Sequence, residues 1–593
     1  MKVLKSILTL LIVMFYGVVY YIILPPLNIN NWSTFFFASL GVALLILIIL
    51  IWKSYEEIAM LSLIGILGYG VIVVILLFIG SPVFNSAKMY NQLGNVETKD
   101  FKTDVVEVDA SQIPVVDIKL ADKLADKKLG EDLALGSQVE IGEFTNKQQV
   151  NGKLLYVAPL EHRSFFKWLS NRNGTPGYVV VSATNMNSVK LVKEINGKAI
   201  NIKYCNSGFF GDDLERHIRM SGYLTQGLTE FSFELDEEGN PYWVVTTYKN
   251  TTLFGNPEAT GVIICDPQTG KCNWYPLSEV PEWVDIVQPE SFIKRQLANY
   301  GKYVHGLFNF SDKDKLSVTE HITTVYNNGE CYYYTGMSSV GKDNGTVGFI
   351  LVNTRDKSAK FYKMVGATEE AAMSSAEGKV QNMGYSATEP IPLNVTGIPT
   401  YFCTLKDNEG LVKEYAMLNI EDYSIVGVGD TIEEAKRNYL KAVNASGSRV
   451  DFGNSEVYSY TKEGVVSRIG TNIESGETYY YMILDNDSSK LFFASYDVSE
   501  ELPITREGDN VSVSYVDESN GAINIVKFDN LEFTQEISEA QSKMNQEKED
   551  NDIINNPENK VTEVSPEKIE EAWKSYSDEE KASIIENATK NDN

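Results

Sequence analysis

The chain has 593 residues, beyond the roughly 250–300 at which a single core stops growing, and a formal charge of −28 with five cysteines and four histidines. So acidic a chain repels phosphate backbones, which argues against nucleic acid as a partner. So few cysteines exclude a disulfide-stapled scaffold, and four scattered histidines exclude a clustered-histidine zinc centre.

Three runs near the N-terminus, 6–24, 33–52 and 58–79, contain no Asp, Glu, Lys or Arg. At about 1.5 Å of rise per residue each can cross a hydrocarbon core of about 30 Å. The first ends in Leu24-Pro25-Pro26 without a small-x-small cleavage pattern, so it reads as a retained span. Trp32 and Trp52 fall at span ends, where indole rings favour the interface. Lys2, Lys5 and Lys53 flank the cytoplasmic side under the positive-inside rule, so three spans place everything after residue 80 outside the cytoplasm. Residues 1–83 hold three Lys and two Glu, which leaves −29 on the remaining 510. Residues 1–80 are therefore expected as a membrane anchor.

Residues 81–135 are polar and mixed and read as a stalk. From 136 to 445 one pattern recurs. A strand-like run opens at a glycine and carries tyrosine: Gly152-KLLYVAPL, Gly239-NPYWVVTTY, Gly329-ECYYYTGM and Gly397-IPTYFCTL. Each is followed by a second apolar run that turns through Asn, Asp, Pro, Thr or Gly; three of these open at Gly177, Gly261 and Gly348 and the fourth at Tyr415. Helix-like stretches lie between them at 209–222, 288–300 and 367–383. The expected unit is one helix on an antiparallel meander, repeated in tandem: an α+β architecture. The copies start 84 and 87 residues apart.

Gly239-Asn-Pro-Tyr242-Trp243 followed by Asp266-Pro-Gln-Thr-Gly270, with Gly397-Ile-Pro-Thr-Tyr401 as a partial second copy, resembles the PepSY repeat: helix, Gly-x-Pro-x-Tyr strand, then an Asp-x-x-Thr-Gly turn. The segments at 152–192 and 329–363 lack the Pro and the Thr-Gly turn, so the likeness covers about a third of the chain. It implies an extracytoplasmic binding or regulatory module rather than a catalyst.

Residues 446–533 hold five short alternating strands, which predict a small β-barrel of OB-like type. Residues 534–593 are acidic and poor in large apolar groups, a flexible tail with short helices beginning near Ser565-Pro566 and Ser577.

No HExxH, GxSxG, P-loop or paired CxxC motif occurs. Asp213 and His217 stand one helical turn apart, a spacing that serves an acid–base pair, and Cys205 precedes them by a short loop as a nucleophile for His217. The bland reading of Asp212 and Asp213 is helix capping. Asp312/Asp314 and Asp485/Asp487 look like fragments of calcium loops but lack the Gly and distal Glu, so they read as turns. Cys265 and Cys272 flank a predicted hairpin turn; a disulfide and two reduced strand cysteines both fit. No cofactor or metal is implied. The expected partners are the lipid bilayer and another protein of the membrane or envelope.

The resulting expectation is a membrane-anchored α+β protein, multi-pass with a cytoplasmic N-terminus. Its extracytoplasmic repeats would bind or scaffold another protein or envelope component without catalysis. The alternatives are a membrane-tethered hydrolase or peptidase with a site near 205–217, and an accessory or sensor subunit that uses Gly65, Gly68 and Gly70 to pack against another membrane helix.

Overall fold

The computed structural model describes residues 2–52, 55–106, 112–132, 134–144, 147–340, 345–446, 459–474, 477–516 and 522–533. They fall into two units, one within residues 1–457 and one from 458 onward.

In the first unit, the uncharged runs form α1 (Lys2–Ile23), α2 (Trp32–Trp52) and α3 (Tyr55–Gly80). Three helices are long and apolar enough to cross a membrane. Tyr16 of α1 stacks on Phe37 of α2 with ring centroids 4.3 Å apart, and Trp52 Nε1 donates to Thr9 Oγ1 at 2.9 Å. Gly41 lies directly against the Tyr16 ring, whereas a Cβ on Gly65, Gly68 or Gly70 would meet open space. Among the described residues, none packs against these three glycines of α3.

The expectation of a stalk at 81–135 is overturned. This segment forms α4 (Pro82–Tyr90), α5 (Phe101–Asp104) and α6 (Ile118–Gly130), and the strand Val96–Lys99 pairs in parallel with Ala359–Tyr362. Asp117 caps α6 by accepting from Leu120 N at 2.9 Å, and Leu120, Ala121, Ala125 and Leu129 are buried in a core shared with two sheets. Apolar side chains at helical spacing decide its placement, although lysines and aspartates between them make the segment read as polar.

Four antiparallel meanders follow. The first is β1 (Lys147–Val150), β2 (Lys153–His162), β3 (Tyr178–Ser182) and β4 (Val189–Val192), with α7 (Phe165–Ser170) between β2 and β3. Next, α8 (Leu214–Met220) leads into β5 (Gly227–Leu235), β6 (Pro241–Thr252), β7 (Gly255–Cys265) and β8 (Cys272–Pro276). Then α9 (Glu290–Lys302) leads into β9 (Thr323–Asn327), β10 (Glu330–Ser339), β11 (Gly348–Asn353) and β12 (Ala359–Tyr362). Last, α10 (Glu369–Lys379) leads into β13 (Ile391–Val395), β14 (Ile398–Lys406), β15 (Val412–Asn419) and β16 (Val426–Gly429), closed by α11 (Ile432–Ala445).

Turn chemistry explains these hairpins. Three first hairpins have two-residue loops with both residues at positive φ: Asn151-Gly152, Asn328-Gly329 and Thr396-Gly397. That arrangement matches the right-handed twist of the flanking strands. The later turns open on a side-chain acceptor. Asp266 Oδ1 accepts from Gln268 N at 2.8 Å, Asn353 Oδ1 from Arg355 N at 2.8 Å, and Asn419 Oδ1 from Glu421 N at 2.8 Å.

All four sheets bury side chains on both faces. Opposite faces of the first sheet pack on α6 with the fourth sheet and on α8 with the second. The third sheet shares one core with the fourth and α10, and a second with α9. Such double burial explains why these strands read as apolar runs rather than clean alternation.

The second unit contains β17 (Ser459–Glu474), β18 (Glu477–Leu484), β19 (Asp487–Ser495), β20 (Asn510–Val516) and β21 (Ile523–Asn530). The pairings run β17-β18-β19-β21-β20 and return to β17, with β19 and β21 parallel. Phe492, Val513 and Ile525 are among its buried core residues. The acidic tail expected at 534–593 lies outside the described residues.

Candidate functional site

The sequence candidates Cys205, Asp213 and His217 lie around α8, and each is committed to a different partner. Asp213 is the helix cap: its Oδ1 accepts from Arg216 N at 2.9 Å. Cys205 is buried, with Sγ 3.4 Å from Ser207 Oγ, and burial pushes its thiol up to about 12. A thiol held so firmly protonated is a poor nucleophile. The His217 ring packs on Tyr204 with centroids 3.9 Å apart, and its Nε2 is 2.7 Å from Gly270 O. Among the described residues no hydrogen bond joins the Cys205 thiol or the Asp213 carboxylate to the His217 ring. The geometry is that of a capped structural helix.

Cys265 and Cys272 face each other across the β7–β8 ladder and form a disulfide, with Cα atoms 4.1 Å apart. The His217 ring and both sulfurs lie within 4.8 Å of one another. A thiophilic ion would need both sulfurs as thiolates, which the disulfide removes. Replacing both cysteines by serine is expected to lower stability by about 2–3 kcal/mol, the loop-closure effect for so short a loop. Denaturant titration of the full-length chain checks this, and an unchanged midpoint would mean that the pair is reduced.

Next to this region, His162 is buried and burial pushes its ring pKa down, so the imidazole is held neutral. Neither ring nitrogen has a hydrogen-bond partner among the described residues. Burial pushes the neighbouring Glu161 carboxyl up to about 7.

A cleft of roughly 880 Å³ is lined by α6, the first meander, β9 and the fourth meander. Lysines enter it from three directions. Lys406 pairs with Asp117 at 2.6 Å, and Lys123 donates to the Glu409 carbonyl. Lys147, on β1, donates to Thr324 O at 3.2 Å, and burial pushes its ammonium pKa down. Glu290 and Glu389 also line the cleft. Two strands present edges to it: β9 pairs only with β10, and Ser386–Ala387 pairs only with β14, among the described residues. Unpaired strand edges are templates for an added extended segment.

No motif in the sequence pointed to this cleft, because its lining comes from segments spread over the stretch from Pro114 to Gly410. The one local signal was Lys147 itself, a lysine in a short alternating strand, and surface lysines of that kind are common.

Cleft, disulfide hairpin and capped helix belong to a mixed α+β protein that carries three helices long and apolar enough to span a membrane. No protein-family model matches the chain, and no curated protein sequence matches it.

Proposed function

We propose that this chain is a non-catalytic membrane-anchored protein whose folded body binds or scaffolds another protein or envelope component, with the Lys147 cleft as the docking site. The observation that carries the reading is the cleft's construction: two one-sided strand edges flank a shielded lysine, a geometry suited to an extended acidic segment. The helix-plus-meander segments are read as four copies of one unit. The recurring two-residue turns and the Asx-opened turns support that, and so does the PepSY likeness around Asp266-Pro-Gln-Thr-Gly270. The order of the five strands in the second unit, with its parallel third and fifth, supports an OB-like barrel used for protein contact. The lysine distribution favours placing the body outside the cytoplasm.

Affinity capture of the full-length chain from its native membranes tests this. Lys147→Glu is expected to weaken recovery of the co-purifying protein about tenfold, equivalent to about 1.4 kcal/mol, with Lys147→Met intermediate, recovery being compared at equal amounts of folded protein. Equal recovery with both variants would sink the cleft as the docking site. A second reading, an accessory subunit of a membrane complex, is favoured by the open space beside Gly65, Gly68 and Gly70 on α3. That reading requires capture to survive Lys147→Glu and fail when those glycines are enlarged.

A further inference from the structure

Near the exit of α1 the body carries a surface unlike the rest of this acidic chain. Residues 163–172 contain Arg163, Lys167 and Arg172 and no Asp or Glu, in a protein of net charge −28. Within them α7 has the sequence FFKWLS. Trp168 faces inward, buried, and donates its Nε1 to Asp212 Oδ2 at 3.1 Å. Phe166 points out, 76 % exposed, with Leu169 beside it. The loop before α8 adds Phe209 and Phe210, and the end of α8 adds Met220, all exposed. Phe165 joins the two segments: its ring centroid is 5.6 Å from Phe166 and 5.1 Å from Phe209. Scattered exposed apolar side chains are ordinary on a surface, but a connected aromatic group with a cationic border marks a contact surface.

The position of this ledge identifies its occupant. The Arg216 guanidinium lies 4.2 Å over the ring of Tyr21, in the last turn of α1, and donates to Tyr21 O at 3.4 Å and Phe210 O at 2.9 Å. One side chain thus ties the ledge to the end of a membrane-spanning helix. Leu27 N, in the loop between α1 and α2, donates to Leu224 O at 2.7 Å, and Trp32 at the start of α2 packs on Phe254 with centroids 5.2 Å apart. The ledge therefore lies next to the membrane–water boundary, where aromatic rings sink to headgroup depth and long cationic side chains reach the phosphates.

We propose that α7 and the Phe209–Phe210 loop form a second membrane contact, in which Phe166, Phe210 and Met220 enter the headgroup layer and Lys167 and Arg172 attract anionic lipid. The contact would fix the body on the bilayer surface beside its own anchor, so that it does not swing freely. The proposal rests on the membrane-anchored reading and adds to it a preference for acidic headgroups, against the repulsion expected from the net charge alone.

The test uses full-length Phe166→Cys carrying a polarity-sensitive fluorophore; the native cysteines are either buried or in the disulfide. The protein is placed in nanodiscs of phosphatidylcholine with and without phosphatidylglycerol, and the same lipids with brominated chains serve as quenchers. The expected result is a blue-shifted emission that loses most of its intensity in brominated discs and resists aqueous iodide. Protection should be greater with phosphatidylglycerol, and the added Lys167→Glu change should abolish that difference. A label open to iodide and untouched by bromine overturns the proposal, as does one shielded from both, which would place a protein on the ledge. A chain that does not enter nanodiscs at all fails the anchored reading itself, a distinct outcome.

Discussion

Gly177→Ala is expected to destabilise the folded body by about 3–5 kcal/mol, close to the upper end for a single substitution. Gly177 immediately precedes β3 at φ +103°, and an added Cβ would overlap the Val192 carbonyl oxygen on the neighbouring β4. The obstacle is backbone in a sheet packed on both faces, so it cannot yield as a flexible side chain would. One glycine in each of the next two meanders meets a similar obstacle: a Cβ on Gly261 would overlap the Tyr275 carbonyl, and one on Gly348 would crowd the Tyr362 carbonyl and the Phe361 ring. In each case the glycine stands at or just before the residue where the middle strand begins to pair with the following strand, and the clashing carbonyl lies 14 or 15 residues further along, near the far end of that strand. Gly152→Ala provides the contrast. It also has positive φ, +73°, but nothing lies within 4 Å of its Cβ, so only the left-handed backbone preference is lost, about 1 kcal/mol. Denaturant midpoints of the four alanine variants, read by far-ultraviolet dichroism of the full-length chain in detergent, check the order. If Gly177→Ala, Gly261→Ala and Gly348→Ala cost no more than Gly152→Ala, the shared position is a coincidence of turn-rich β sequence.

These glycines also show what the amino-acid sequence carried well. Uncharged runs of about twenty residues, two-residue turns and Asx acceptors are local signals, and the helices α1 to α3 and the hairpins followed from them. The helix expected at 209–222 shortened to Leu214–Met220 because Asp213 adopts extended dihedrals and caps it. Helices at Glu290–Lys302 and Glu369–Lys379 fell within two to four residues of expectation. Non-local placements were hidden. Val96–Lys99 is a largely exposed strand whose partner, Ala359–Tyr362, lies over 250 residues away. Ile118–Gly130 buries two of its four core positions with alanine, which leaves a weak stripe among charges. Cys205 and His217 are neighbours in sequence, yet their environments depend on Ser207, Tyr204 and Gly270. No spacing rule reports such contacts.

The stability of the body is expected to fall as pH rises from about 5 to about 8, with Glu234 as the main cause. Glu234 lies on β5, buried, and its Oε2 has no hydrogen-bond partner among the described residues. Burial pushes its carboxyl up to about 8, and the negative charge of Asp285 adds to the shift. Asp285 is itself pushed up to about 6 by burial, against the bonds it accepts from Gln149 N at 2.6 Å and Tyr326 Oη at 3.1 Å. The cation of Arg355 lowers both carboxyls, but its donors are engaged by the carbonyls of Val280, Pro281, Glu282 and Val284. The folded state therefore holds the Glu234 proton more tightly than an unfolded chain, whose glutamates titrate near about 4.3. Protons favour folding wherever the native state binds more of them. The Glu234 contribution is complete below the unfolded pKa, declines as pH rises, and is lost above about 8. Glu234→Gln supplies a permanently neutral side chain of the same shape. At about 1.4 kcal/mol per pKa unit, it is expected to raise stability at pH 8 by a few kcal/mol and to leave pH 4.5 nearly unchanged. Glu161 and Asp285 add to the wild-type slope, so the informative quantity is the difference between wild type and variant across the range. Denaturant titrations at half-unit steps from pH 4.5 to 9 measure it. Parallel curves for the two proteins would mean that Glu234 is charged in the native state.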